Sequence, residues 1–259
     1  MTRNYLAIRL STDYETFGSK KFGAEVFYKW FALDKKFHPE EFKAYEGSKN
    51  KVILERDGIN VLKEKWLNDI VLGKRKNKPK YDFIFFYLPS WQKSLEKGDM
   101  FPIRTGFYMP INQKEDYIIE FNKFIIPILK TKFAHISTNH SIEKKYRFIL
   151  EKPDGGSSQL ISGTTVTKCL NTNFITLPLV TWINYYGSEL VNYIGEEKFK
   201  TLNTYKVEKF YEGYLVMCYP SHKLMEKEEA LIEEEKVMQH LGKHHFFDRS
   251  KVDIHELFK

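Results

Sequence analysis

The chain has 259 residues, 42% of them hydrophobic and 16% aromatic, with a formal net charge of +7. That length suits one large domain or two small ones, and a content so rich in Phe and Tyr excludes a disordered chain. Of the 41 basic residues only seven are Arg, and Lys lacks the planar fork that reads phosphates and guanine edges, so the charge favours a solvated surface over nucleic-acid readout.

Tyr5–Leu10 predicts an opening strand. Ser11-Thr12-Asp13 supplies helix N-cap chemistry, and Phe22, Val26, Phe27, Trp30, Phe31 and Leu33 recur at helical spacing through Tyr14–Phe37. His38-Pro39 ends that run. Lys51–Leu54 predicts a short strand and Asp57-Gly58 a turn. A second helix is expected over Ile59–Leu72, with Leu62, Trp66 and Ile70 inward, followed by a basic loop, Lys74–Lys80. Tyr81–Leu88 is apolar on both faces, as in a central strand, and a further strand is expected at Ile103–Met109.

Lys114–Lys132 predicts a third helix, kinked or ended by Pro127, and Phe133–Ser137 a strand. Ser141–Leu150 fits helix or strand. Glu151–Gly163, rich in Gly and Ser, reads as a boundary or a long loop. Phe174–Leu177 is strand-like, and Leu179–Ile194 reads as a helix capped by Gly195. Tyr205–Phe210 and Tyr214–Tyr219 flank Glu212-Gly213 as a hairpin. Glu226–Leu241 predicts a charged helix with Leu231, Val237, Met238 and Leu241 inward. This order has no regular βαβα rhythm, so the expected class is α+β, a mixed, largely antiparallel sheet or sheets flanked by helices. Residues 1–259 read as one domain, with possible sub-domains meeting near 151–163.

Met1–Leu10 is too short for a signal-peptide core, and no apolar run reaches membrane-spanning length. Cys169 and Cys218 both lie in apolar, strand-like contexts. Two cysteines alone point to a reducing compartment and leave one disulfide open. The expectation is a cytoplasmic protein without a membrane partner.

Gly-rich phosphate loops, zinc-protease and nucleophile-elbow motifs and C-x-x-C are absent from the sequence. Pro153-Asp154 is not followed by a Glu-x-Lys triplet in a plausible strand, as one nuclease core would require. The sequence therefore predicts a non-enzyme with no cofactor. His240 and His244, four apart, with Asp248 form the one metal-like group. Gly242 falls between the two histidines and breaks the helix that would align them. These residues carry the alternative of a metal-dependent hydrolase or nuclease, and Lys74–Lys80 carries that of a basic nucleic-acid-binding protein. Residues expected at a protein partner are Trp91 in its loop, Arg104, Lys74 and Arg75, and Glu233 and Glu234 of the acid-rich Glu226–Lys236 stretch. Opposite-sign patches of this kind steer protein association.

Phe174–Gly195, read as a strand, a helix start containing Trp182, a Tyr/Leu stripe and a closing Ile-Gly before a hairpin, resembles the C-terminal half of the type VI immunity and immunity-protein 52 families of bacterial toxin systems. Trp91 and Arg104 between two strands are compatible with the first half. The resemblance implies a cytoplasmic protein that occludes one cognate secreted toxin, of type VI or another contact-dependent route. It carries over no catalytic residue, and it makes Trp182 and Gly195 fold-determining. A nuclease toxin would call for a strongly acidic immunity protein. This basic chain implies another toxin type, or an acidic contact limited to Glu226–Lys236.

Overall fold

A computed structural model describes residues 5–13, 20–32, 34–44, 49–65, 72–86, 98, 100–101, 103–151, 155–169 and 171–257. Ten strands form one sheet in the order β13-β14-β12-β7-β1-β6-β5-β4-β2-β3, every neighbouring pair antiparallel. The strands are β1 (Tyr5–Thr12), β2 (Glu41–Lys43), β3 (Lys51–Ile53), β4 (Leu72–Arg75), β5 (Tyr81–Phe86), β6 (Ile103–Pro110), β7 (Phe133–Thr138), β12 (Ile183–Tyr186), β13 (Lys206–Phe210) and β14 (Gly213–Met217). Two small ladders stand apart: β8 (Arg147–Glu151) with β9 (Ser157–Ile161), and β10 (Thr167–Lys168) with β11 (Ile175–Thr176). With the helices around them, these strands make the class α+β.

Successive strand residues point to opposite faces, so the register sorts the sheet into two surfaces. The first carries Ile8 opposite Phe107 and Ile136, and Phe83 opposite Phe107 and Gly73. Helix α1 (Lys20–Phe31) lays Trp30 against Phe83 and Phe107, with ring centroids 5.3 and 5.8 Å apart. Helix α3 (Glu115–Ile128) brings Phe121 to Phe107 and Tyr81 at 5.0 and 5.1 Å. Leu62 of α2 (Leu54–Lys65) joins the same buried cluster.

The second face differs between its two halves. Over β1, β7, β12 and β14 it is covered. Helix α4 (Asn139–Tyr146) sets Ile142 and Tyr146 on Ala7, and Phe199 of α6 (Glu196–Lys200) packs on Tyr186 and Tyr214. Helix α5 (Ser188–Ile194) precedes α6, and α7 (Glu228–Leu241) follows the β13–β14 hairpin. A short terminal helix, α8 (Ile254–Leu257), makes contact with β8. Over β5, β4, β2 and β3 the second face is less covered among the described residues: Asp82, Lys74 and Lys51 are exposed, Ile84, Leu72, Lys43 and Ile53 are half-buried, and Glu41 is buried.

Several expectations hold within a residue or two, among them β1, β6, α3 ending just after Pro127, β7 and the β13–β14 hairpin. Others are corrected. The helix expected over Leu179–Ile194 is a strand, β12, followed by the short α5. All four β12 residues are buried, so both faces are covered and the tyrosine spacing carries no phase information. Ser141–Leu150 is helix and then strand, and Glu151–Gly163 contains the paired strand β9. The Ile59–Leu72 helix begins at Leu54 and is interrupted by Gly58, and Leu72 already belongs to β4. The strand expected over Tyr81–Leu88 is described over Tyr81–Phe86, an interior strand with one buried face, because Asp82 opposite Tyr108 points to the other side; residues 87 and 88 lie outside the described residues. Leu231 is exposed on α7, and Ala230 and Glu234 take the inner positions. Both cysteines are free, Cys218 buried and Cys169 exposed rather than in an apolar strand. Residues 14–19, with part of the first expected helix, lie outside the described residues, as do Trp66 and Trp91.

Candidate functional site: a basic groove at the open half of the sheet

The ends of β1, β4, β5 and β6 meet around a groove of about 1090 Å³. Its walls come from two sequence-distant places. One is Lys74–Lys76 with Lys80–Asp82; the other is Tyr5 together with Tyr108–Asn112. Antiparallel pairing brings them together by placing Tyr5 opposite Pro110, Tyr108 opposite Asp82, and Asp82 opposite Lys74.

Tyr5 and Tyr108 meet edge to face, centroids 5.2 Å apart and planes at 90°. Tyr108 lies back over Gly106, where any Cβ would come within 2.8 Å of its hydroxyl oxygen. Burial pushes the Tyr108 phenol above its ordinary pKa, and Arg9 nearby pulls the other way. The phenol therefore stays protonated at neutral pH and can donate a hydrogen bond.

The basic residues divide by role. Arg75 lies in β4, not in a loop, and its side chain is only 11% exposed. It donates to the carbonyls of Lys35 and His38 at 3.0 and 2.8 Å and lies 3.7 Å from the Glu40 carboxylate. This guanidinium braces the fold and is not offered to a partner. Lys76 pairs with Glu41, whose carboxyl is held below the ordinary glutamate value chiefly by that bond. Lys74 sits 3.9 Å from Asp82, both side chains more than half exposed. Such a contact is worth little in water. Lys80 is exposed and makes no ion pair among the described residues. On and beside this half the lysines Lys43, Lys51, Lys74, Lys76, Lys78 and Lys80 outnumber the acids Glu40, Glu41 and Asp82, which leaves the surface positive.

The other expected site residues are dispersed. Arg104 is half-buried on β6, opposite Ser11 and Phe86, and Trp91 lies outside the described residues. Glu233 is partly exposed and pairs with Lys236 on its own helix. Glu234, expected at a partner, is 5% exposed: it accepts from Lys145 Nζ at 2.6 Å and from the Tyr219 hydroxyl at 2.9 Å. Lys145 also donates to the Val180 carbonyl. This pair ties α4 to α7. Removing one member strands the other's charge, which costs far more than the intact pair contributes. Glu234→Ala is therefore expected to destabilise by about 3 kcal/mol and Lys145→Met with Glu234→Leu by less. Chemical denaturation of the single and double variants checks the ordering.

The metal-like group does not assemble. Helix α7 ends at Leu241, where Gly242, with φ of 104°, turns the chain away. His240 Nε2 lies 2.9 Å from the Lys198 carbonyl, His244 meets His245 in a tilted contact with centroids 3.9 Å apart, and Asp248 caps a short turn by accepting from Ser250. Among the described residues no group of three or more His, Cys, Asp or Glu is placed to hold a metal ion. None of the described helices is long and apolar enough to cross a membrane. Trp182 is fully buried, and Gly195 closes α5 with φ of 103°.

Fold and site thus define an α+β protein with an open, positively charged sheet face. No protein-family model matches the chain, and no curated protein does. Among solved structures it is similar to a T6SS protein of Pseudomonas aeruginosa, with 12% identity, a TM-score of 0.46, and coverage of 96% of this chain and 85% of that one. So distant a likeness decides nothing about function.

Proposed function

We propose that this protein is an immunity protein: a cytoplasmic, non-catalytic binder that neutralises one cognate secreted toxin by covering it. One observation carries the reading. Among the described residues, half of one face of the ten-stranded sheet is only partly covered, and a groove there is lined by tyrosines with lysines around them; tyrosine is enriched in protein interfaces and charge sits at their rims. The resemblance of Phe174–Gly195 to type VI immunity sequences points the same way. The two alternatives are less well supported. The hydrolase depended on His240, His244 and Asp248, which face three different neighbours. The nucleic-acid reading loses Arg75, the one guanidinium in the basic run, to internal hydrogen bonds.

Co-expression with the toxin domain encoded beside this gene tests the proposal. A complex that survives size exclusion with equal molar amounts of both chains is expected. Separate elution at micromolar concentrations would contradict it.

A further inference from the structure

Arg9 sits in the middle of β1, on the second face of the sheet, between His135 of β7 and Gly106 of β6. It is half-buried, yet forms no hydrogen bond or ion pair among the described residues. An arginine partly withdrawn from water normally finds a carboxylate or a set of carbonyls, as Arg75 does here. The groups around it offer it no free carboxylate: His135 is buried, Tyr108 and Tyr146 keep their phenol protons, and the Glu234 carboxylate beside Tyr146 is already paired with Lys145. Gly106 leaves the position next to it without a side chain. Arg9 thus lies where the covered half of the face gives way to the open half. Beyond it are Tyr108, then Asp82 and Lys74 on successive strands, with Lys80 at the groove's rim.

From this we infer that the open face receives an acidic segment of a partner protein, with Arg9, Lys74 and Lys80 pairing its carboxylates. The inference rests on the proposed binding function and specifies the partner's chemistry. The surface recognised is carboxylate-bearing, unlike the basic cleft of a nuclease. Two features set a protein carboxylate above a nucleic-acid strand. The charges are sparse, with Asp82 and Glu41 between the lysines, whereas a phosphate backbone calls for an uninterrupted basic track. Arg9 is a guanidinium on this face with no partner among the described residues, suited to a bidentate carboxylate.

The test uses the full-length protein, a Glu/Asp-rich peptide and an oligothymidylate of equal charge, followed by backbone NMR shifts at low salt. The peptide is expected to shift Tyr5, Arg9, Lys74, Lys80 and Tyr108 selectively. Lys74→Glu with Lys80→Glu is expected to weaken it about tenfold. The same charge change at Lys206 and Lys209, on β13 at the far edge, should leave the groove's shifts in place. Arg9→Gln should also weaken the peptide while leaving the thermal midpoint unchanged or raised, because no internal partner is lost. Tighter binding of the oligothymidylate at these residues, or no selective shifts with either probe, would overturn the inference. If the toxin domain co-purifies while the peptide and the groove variants have no effect, the inference fails and the immunity reading stands. Peptide binding without a toxin complex would leave the reverse.

Discussion

Trp182→Ala is expected to destabilise the protein by about 3–5 kcal/mol, the cost of emptying a large buried aromatic site. Trp182 is fully buried just before β12, in the covered half of the sheet. Its indole N–H donates to the Tyr219 carbonyl at 2.8 Å, and the ring packs on His222 with centroids 5.3 Å apart. Its own carbonyl accepts from the Cys218 amide at 2.9 Å, which extends the β12–β14 ladder by one step. Truncation leaves a cavity and an unpaired buried carbonyl together. Trp182→Phe keeps most of the packing and loses the hydrogen bond, so it should fall between wild type and alanine. Equilibrium denaturation orders the three. A cost below about 1 kcal/mol for alanine would mean that the indole is not the buried anchor described.

Acid is expected to weaken the fold through His135, well above the carboxylate range. This residue is fully buried on β7, and burial first, then Arg9 and Lys145, lowers its pKa from the ordinary 6.5 to about 3. A histidine whose folded value is depressed contributes its full stability above the unfolded pKa. Between pH 6.5 and about 3 the unfolded chain takes up a proton that the folded chain refuses, so stability falls with pH. The slope is roughly 1 kcal/mol per pH unit for one proton. In His135→Gln that part of the slope should vanish, and the remaining acid sensitivity should begin lower, with carboxylates such as Glu41 and Glu208 that lysine partners hold below their ordinary value. Denaturant curves at several pH values check this, and parallel profiles for wild type and variant would rule it out.

How far the sequence could be read depended on whether a segment's pattern was local. Helix α3 is legible because Ile118, Phe121 and Ile125 recur on one face and Pro127 sits at its end. The β13–β14 hairpin is legible because its turn residues are. Leu179–Ile194 is not, since burial on both sides erases the difference between strand and helix periods. Lys74–Lys80 was visible as a charge run, but not the fate of its members. Arg75 is claimed by carbonyls 37 and 40 positions away. Glu234 reads from the sequence as a partner-facing acid, and only the fold brings Lys145, 89 residues earlier, beside it. Tyr5, Tyr108 and Arg9 carried no local signal at all. The place of the two tyrosines at the groove, and of Arg9 on the same face, follows from the β1–β6 register, which juxtaposes segments about a hundred residues apart.

The most direct measurement is a titration of the cognate toxin domain's activity with increasing amounts of this protein. Occlusion predicts inhibition that rises linearly and is complete at one molar equivalent, with activity returning when the complex is dissociated. Complete inhibition at a small fraction of an equivalent, or inhibition that persists after this protein is removed, would contradict the account, because both require a catalyst acting on the toxin rather than a partner covering it.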